Sequence, residues 1–225
     1  MNDRSTRYQA LVNARKACHQ CNGLANASTL RAGEFDSTAI GPWTRWLGDL
    51  NARILVVGQD WGDRHAFEKQ AGVDVSSNAT NKMLRELLCS IGIRVPDVCV
   101  TDAPFGVFLT NAILCFKDHG SQSAVRSEWF DVCGPRFLRP HIDIINPRVV
   151  VCMGQRAYGA VLSAYDLPAP KNWRATVEGP GVTLPGGSIA MAVYHCGERI
   201  LNTHRNYEMQ VKDWQRIAAV LNGAP

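Results

Sequence analysis

Four stretches of the chain are largely apolar without the alternation of a half-exposed strand: residues 53–58, 105–114, which the polar pair Thr110-Asn111 interrupts, 148–153 and 189–194. Short unbroken apolar runs rich in β-branched residues and bounded by glycine or polar residues are the pattern of strands buried on both faces. Between them the pattern changes to helical spacing. Residues 4–17 have helical composition, and 80–91 carry Met83, Leu84, Leu87 and Leu88 on one face. Residues 129–145 read as a helix stopped by Pro147, 154–164 as a helix opened by Gly154, and 207–221 as a last helix. A short helix is expected over 43–50 after Gly41-Pro42, and a small polar loop over 22–34. Strands alternating with helices predict an α/β fold, a three-layer α/β/α sandwich around a four-stranded, mainly parallel sheet. Residues 1–225 are expected to form one domain without internal repeats.

In such a sheet the ligand crevice lies outside the carboxyl ends of the strands. Three polar groups fall at that edge: the loop Gly58-Gln59-Asp60-Trp61-Gly62 after the first strand, Asn111 within the second, and His195 after the fourth. Each has an ordinary structural alternative. Asp60 can be a loop aspartate bonded to backbone, Asn111 can pair with a neighbouring loop, and His195 can be a structural histidine after a strand. Gln59 is expected to shape the loop through its main chain, and Asn78 and Thr80 either to hold a phosphate at a helix start or to cap that helix.

Composition narrows the setting. With 225 residues the chain can bury a core without disulfides, and its longest apolar run, 54–57, is far too short to span a bilayer. The first 16 residues are polar and basic and lack the apolar segment of a secretory signal, so a cytoplasmic location is expected. A net charge of +4 is compatible with a nucleic-acid partner without demanding one.

Eight cysteines in a reducing compartment point away from disulfides. Cys18 and Cys21 form a tight pair, while Cys115 and Cys133 stand far downstream beside core elements. Four thiolates arranged in this way suit one metal centre, either zinc or an iron–sulfur cluster. Cys89, Cys99, Cys152 and Cys196 sit in apolar or strand-like contexts and read as small core residues.

The spacing of the four cysteines resembles the cluster-ligand spacing of iron–sulfur uracil-DNA glycosylases, and the likeness extends along nearly the whole chain. Gly58-Gln59-Asp60-Trp61-Gly62 resembles the first active-site motif, which reads Gly-Gln-Asp-Pro-Tyr in cluster-free enzymes and Gly-Glu-Ala-Pro-Gly in the cluster-bearing family. Phe108-Leu109-Thr110-Asn111-Ala112-Ile113-Leu114-Cys115 resembles the latter family's base-reading strand, in which a cysteine four residues after the asparagine binds the cluster. The stretches 133–138 and 144–151 are similar to its fourth-ligand helix and following strand. Tyr194-His195 followed by Arg199-Ile200-Leu201-Asn202 resembles its histidine motif and DNA-intercalating loop. The chain is identified as a member of the uracil-DNA glycosylase superfamily, of the cluster-containing, family 4-like type with an aspartate in the first motif. Trp61 replaces the usual proline, and Cys196-Gly197 stands where proline and serine follow the histidine.

The resemblance implies a DNA-repair hydrolase. Such an enzyme flips deoxyuridine out of single- or double-stranded DNA, hydrolyses its N-glycosidic bond and releases uracil in base excision. It implies a [4Fe-4S] cluster on Cys18, Cys21, Cys115 and Cys133, of which residues 1–50 supply the first two, and a monomer. Asp60 and His195 are the implied catalytic residues. Gly58, Gln59, Asp60, Phe67, Asn111 and His195 are the implied uracil-binding set, with Phe67 as the stacking candidate. Arg199, Ile200 and Leu201 are the implied DNA wedge, and His204 and Arg205 lie near phosphates. A competing function on the same fold is a protein that binds or covalently traps uracil DNA, for instance through His204, and turns over poorly. A nucleotide-binding α/β enzyme is a further alternative, but the loop after the first strand lacks the spaced glycines of a dinucleotide site.

Overall fold

The computed structural model describes residues 4–41, 49–62, 64–96, 106–118 and 123–223. The helix expected over 43–50 falls, except for its last two positions, outside the described residues, as do Cys99 and Phe105. The elements run α1 (Arg4–Lys16), β1 (Leu24–Ala25), β2 (Ile54–Gly58), α2 (Arg64–Lys69), α3 (Ala79–Ser90), β3 (Val107–Asn111) and β4 (Phe116–Lys117). Then follow α4 (Ser127–Cys133), a π-helical turn (Gly134–Leu138), α5 (Arg139–Ile145), β5 (Val149–Met153), α6 (Gln155–Ala164) and α7 (Trp173–Glu178). The chain continues with β6 (Val182–Thr183), β7 (Ile189–Val193), α8 (Glu198–Thr203) and α9 (Tyr207–Leu221).

The central sheet has the order β3-β2-β5-β7-β6. The first four strands are parallel, as the largely apolar runs predict, and correspond to the four expected strands. The expected strand count is corrected to five by β6, a two-residue antiparallel edge strand that pairs Val182 with Ala190 and Thr183 with Ile189. So short a strand, half exposed, leaves no periodic signal in the sequence. Alternate residues of each strand enter different layers. Leu55, Val57, Val150, Cys152, Ala190 and Ala192 pack with α1, α5 and α6, whereas Ile54, Val56, Val149, Val151 and Met191 pack with α3 and α9. This division of side chains makes the sandwich three-layered.

The helix read over 129–145 is a continuous run of α4, the π-helical turn and α5. Pro135 and Pro140 lack the N–H of a regular helical ladder, and a wider turn between the two helices accommodates that loss. The run ends at Asn146, whose φ of 49° turns the chain out of the helix ahead of Pro147. Cys152 and Cys196 are buried as expected, but Cys89 is exposed on the outer face of α3, which corrects its reading as a core residue. No helix among the described residues is long and apolar enough to cross a membrane.

Candidate active site

The carboxyl ends of β2, β3, β5 and β7 open onto a cleft of about 990 Å³, lined among others by Gly58, Gln59, Asp60, Asn111 and His195. The parallel register sets this convergence. Gly58 is the Cα partner of Asn111, and beyond it the main-chain N–H groups of Ala112 and Ile113 donate to the carbonyls of Gly58 and Gln59. The loop after β2 and the end of β3 are therefore held as one ladder. Asn111 is buried, and a Cβ placed on Gly58 would lie 2.0 Å from its side-chain Oδ1. Only glycine leaves the Asn111 amide this space.

Asp60 is held by its own loop. Its Oδ2 accepts from Gln59 Nε2 at 2.7 Å and its Oδ1 from the Gly62 N–H at 2.8 Å. The Gln59 side chain, expected to matter less than its backbone, is thus a direct partner of the carboxylate. The side chain of Lys117 brings Nζ to 3.5 Å from Asp60 Oδ1, and both side chains are largely buried. Lys117 also lines the cleft. Sequence reading missed it. Its only local signal is a cation at the end of the apolar run 112–116, two residues after Cys115.

His195 follows β7, and its Nδ1 accepts a hydrogen bond from the Gly197 N–H at 2.9 Å. That bond assigns the proton of the neutral ring to Nε2. Burial pushes the imidazole below the usual histidine range, and the Asp60 carboxylate opposes the shift only in part. His195 is consequently a neutral ring whose Nε2–H is a hydrogen-bond donor at pH 7. A Cβ on Gly197 would lie 2.9 Å from Nδ1, so glycine at that position is what lets the chain turn back onto the ring.

Phe67 is fully buried in a satellite cluster, its ring 4.5 Å from that of Phe116, and it is not among the residues lining the cleft. Its placement as a base-stacking residue is corrected: the surrounding apolar cluster takes its whole side chain. Trp61, from the same loop as Asp60, lines the cleft instead. The segment after His195, read as a loop, forms the short helix α8. In it Arg199 is exposed, Ile200 lines the cleft and Leu201 is half-buried. His204 is exposed. Arg205 is not available to phosphates, which corrects that expectation. It is buried, its guanidinium making two bonds to the Asp213 carboxylate at 2.7 and 3.0 Å and a third to Glu178. Arg205 instead ties the end of α8 to α9. Asn78 caps α3 by accepting from the N–H groups of Thr80 and Asn81, which accounts for its place in the sequence.

The four expected cysteines lie outside the cleft. Cys18, Cys21, Cys115 and Cys133 all line one cavity of about 120 Å³. The chain turn bearing Cys18 is fixed by Asn26, whose side-chain amide donates to the carbonyls of Arg15, Lys16 and Cys18, taking up the free carbonyls at the end of α1. Arg15 lies beneath this turn in a buried pair with Asp36 at 2.9 Å. The Cys133 thiol hydrogen-bonds the sulfur of Cys21, lowering Cys21 to about 7 and raising Cys133. Burial, followed by the charges of Cys18 and Cys21, pushes Cys115 up to about 12. These mutual effects are those of sulfurs crowded together that a bound cation would relieve. The donor set, four thiols around a cavity, fits an iron–sulfur centre. Among the described residues no group of three or more His, Cys, Asp or Glu is drawn tightly enough to hold a single metal ion.

Comparison with known proteins agrees with this architecture. A family model described as the Uracil DNA glycosylase superfamily matches residues 46–218, which hold every cleft residue named above together with Cys115 and Cys133. The Type-4 uracil-DNA glycosylase of Archaeoglobus fulgidus is 28% identical over 121 residues, 54% of this chain and 53% of the relative. The chain thus spans about half the length of the curated relative it matches. With a cleft at the strand ends and a family match across most of its length, the chain belongs to the uracil-DNA glycosylase superfamily.

Proposed function

We propose that the protein is a uracil-DNA glycosylase that flips deoxyuridine out of DNA and hydrolyses its N-glycosidic bond in base excision, acting as one domain from its N-terminal cysteines to α9. The observation that carries this reading is the bond from Gly197 N–H to His195 Nδ1, which leaves Nε2–H as a neutral donor in the same cleft as Asn111 and Asp60.

Extruding a base costs roughly a few kcal/mol, which contacts in the cleft must offset. The Asn111 side-chain amide offers a donor and an acceptor to the uracil edge, a pattern that leaves unpaired polar groups against cytosine. His195 Nε2–H donates to uracil O2 as negative charge develops on the leaving base. A neutral donor set in a largely buried site serves that purpose without reorganisation. On the sugar side, ionised Asp60 stabilises the positive charge developing at the sugar carbon and orients the attacking water. Gly58 and Gln59 support these groups, the first by its missing side chain and the second through its bond to Asp60. Exposed Arg199 and cleft-lining Ile200 and half-buried Leu201 on α8 suit insertion into the gap left by the base, with exposed His204 near the phosphates.

Cys18, Cys21, Cys115 and Cys133 would hold a [4Fe-4S] cluster, whose contribution is to fix the N-terminal turn against the base-reading strand. The four-thiol donor set around one cavity suits such a cluster.

The decisive experiment incubates single- and double-stranded uracil DNA with protein in deficit and measures free uracil. Several uracils released per protein molecule, with Asp60→Asn still binding but cleaving roughly two to four orders of magnitude more slowly in single turnover, is the expected result. Tight retention of uracil DNA without release would identify a binding or trapping protein instead.

A further inference from the structure

Lys117 sits where the cysteine site meets the cleft. It follows Cys115 by two residues on β4, is the register partner of Leu24 on β1, and donates its main-chain N–H to the Gly62 carbonyl at 3.2 Å. The β1–β4 ladder begins three residues after Cys21 and one after Cys115, so the segment bearing two of the cysteines also sets where Lys117 lies. Its side chain is only 6% exposed, with Nζ 3.5 Å from Asp60 Oδ1. Removing an ammonium from water costs several kcal/mol unless an anion and hydrogen bonds offset it, and Asp60 is an anion at contact distance.

A carboxylate has about four acceptor positions. On Asp60, Gln59 Nε2 donates to Oδ2 and the Gly62 N–H to Oδ1, while the Lys117 ammonium stands 3.5 Å from Oδ1 as an ion pair. We infer that Lys117 is a positioning residue for Asp60: its charge, acting beside the two hydrogen-bond donors, fixes the carboxylate plane in the orientation that receives the attacking water. The inference rests on the glycosylase reading above and adds to it a residue that no motif supplies. A carboxylate held from both oxygens cannot turn away when the sugar arrives, and misplacement of about 1 Å in such a group costs roughly a hundredfold in rate.

The test measures single-turnover cleavage of uracil DNA, and binding of uncleavable 2′-fluorodeoxyuridine DNA, for the parent, Lys117→Met, Lys117→Arg, Asp60→Asn and the Lys117→Met/Asp60→Asn double variant. Lys117→Met is expected to lower the cleavage rate about ten- to a hundredfold with little change in binding, and Lys117→Arg to recover most of the loss. Because Lys117 acts through Asp60, adding Lys117→Met to Asp60→Asn should change the rate by no more than about twofold. Losses that multiply in the double variant would make Lys117 a structural residue and overturn the inference. So would a parent rate in Lys117→Met. If Lys117→Met does not fold, Lys117→Gln takes its place and the same cycle decides. A parent protein that releases no uracil overturns the glycosylase reading and this role with it, whereas parent cleavage with an indifferent Lys117 overturns the role alone.

Discussion

Gly58 and Asn111 face each other across adjacent parallel strands so closely that a Cβ on Gly58 would stand 2.0 Å from Asn111 Oδ1. The amide of Asn111 is buried, so it has little room to yield. Gly58→Ala should therefore displace the amide while the strand, paired on both sides, keeps its place. The expected outcome is a loss of uracil cleavage of roughly tenfold or more with a modest change in melting temperature. Asn111→Asp tests the same contact from the other side. A carboxyl group there can accept from the exocyclic amine of cytosine, and release of cytosine from DNA is the measurement.

Burial holds His195 below the ordinary histidine range of about 6.5, so the ring keeps its donor form as the pH falls through that value. Single-turnover cleavage should persist below pH 6.5 and decline only when the ring takes up its second proton. A rate that falls with a midpoint at or above 6.5 would remove His195 as the neutral donor. Gly197→Ala, which would press on Nδ1, should slow uracil departure without altering which base is chosen.

The purified protein should be brown and contain iron and acid-labile sulfide in equal amounts. Replacing any of Cys18, Cys21, Cys115 or Cys133 by alanine should cost both colour and thermal stability, because these residues join the N-terminal turn to β3 and α4. Cys89→Ala should change neither, since that thiol is exposed elsewhere on the molecule. Colourless protein with stoichiometric zinc would overturn the cluster while keeping the four-cysteine site.

His141 is buried between Tyr8 and Phe108, the latter ring 4.5 Å away at 75°, and neither of its ring nitrogens has a hydrogen-bond partner among the described residues. Burial lowers it to about 3. The unfolded chain takes up this proton near pH 6.5, whereas the folded protein refuses it until about 3. Stability should then fall with decreasing pH across this window, by at most about 1.4 kcal/mol per pH unit from this residue. His141→Leu should flatten that acid slope in thermal melts while changing stability at pH 7 by less than about 1.5 kcal/mol. Equal acid slopes for variant and parent would show that His141 does not carry the effect.

The central architecture was legible because its signals are local. Unbroken apolar runs at 54–57 and 149–153 make buried parallel strands, and helical spacing of Met83, Leu84, Leu87 and Leu88 makes α3. The same logic put Gly58, Asn111 and His195 at one sheet edge, because the carboxyl end of every parallel strand points the same way. The convergence of Cys18 and Cys21 with Cys115 and Cys133 was legible from residue type and spacing. What residue type and spacing did not decide is how each group is held. Phe67 reads as an available aromatic in sequence, but its ring is consumed by Phe116 and its cluster. Arg205 reads as a free cation, but Asp213 on α9 and Glu178 on α7 neutralise it once the helices pack. Lys117 belongs to no sequence motif, but a two-residue ladder places it beside Asp60. Backbone pattern depends on neighbours in the chain and is written in order. The partner of a charge or a ring is chosen by distance in space, and only the folded chain brings Asp60 to Lys117 and the Gly197 N–H back onto His195.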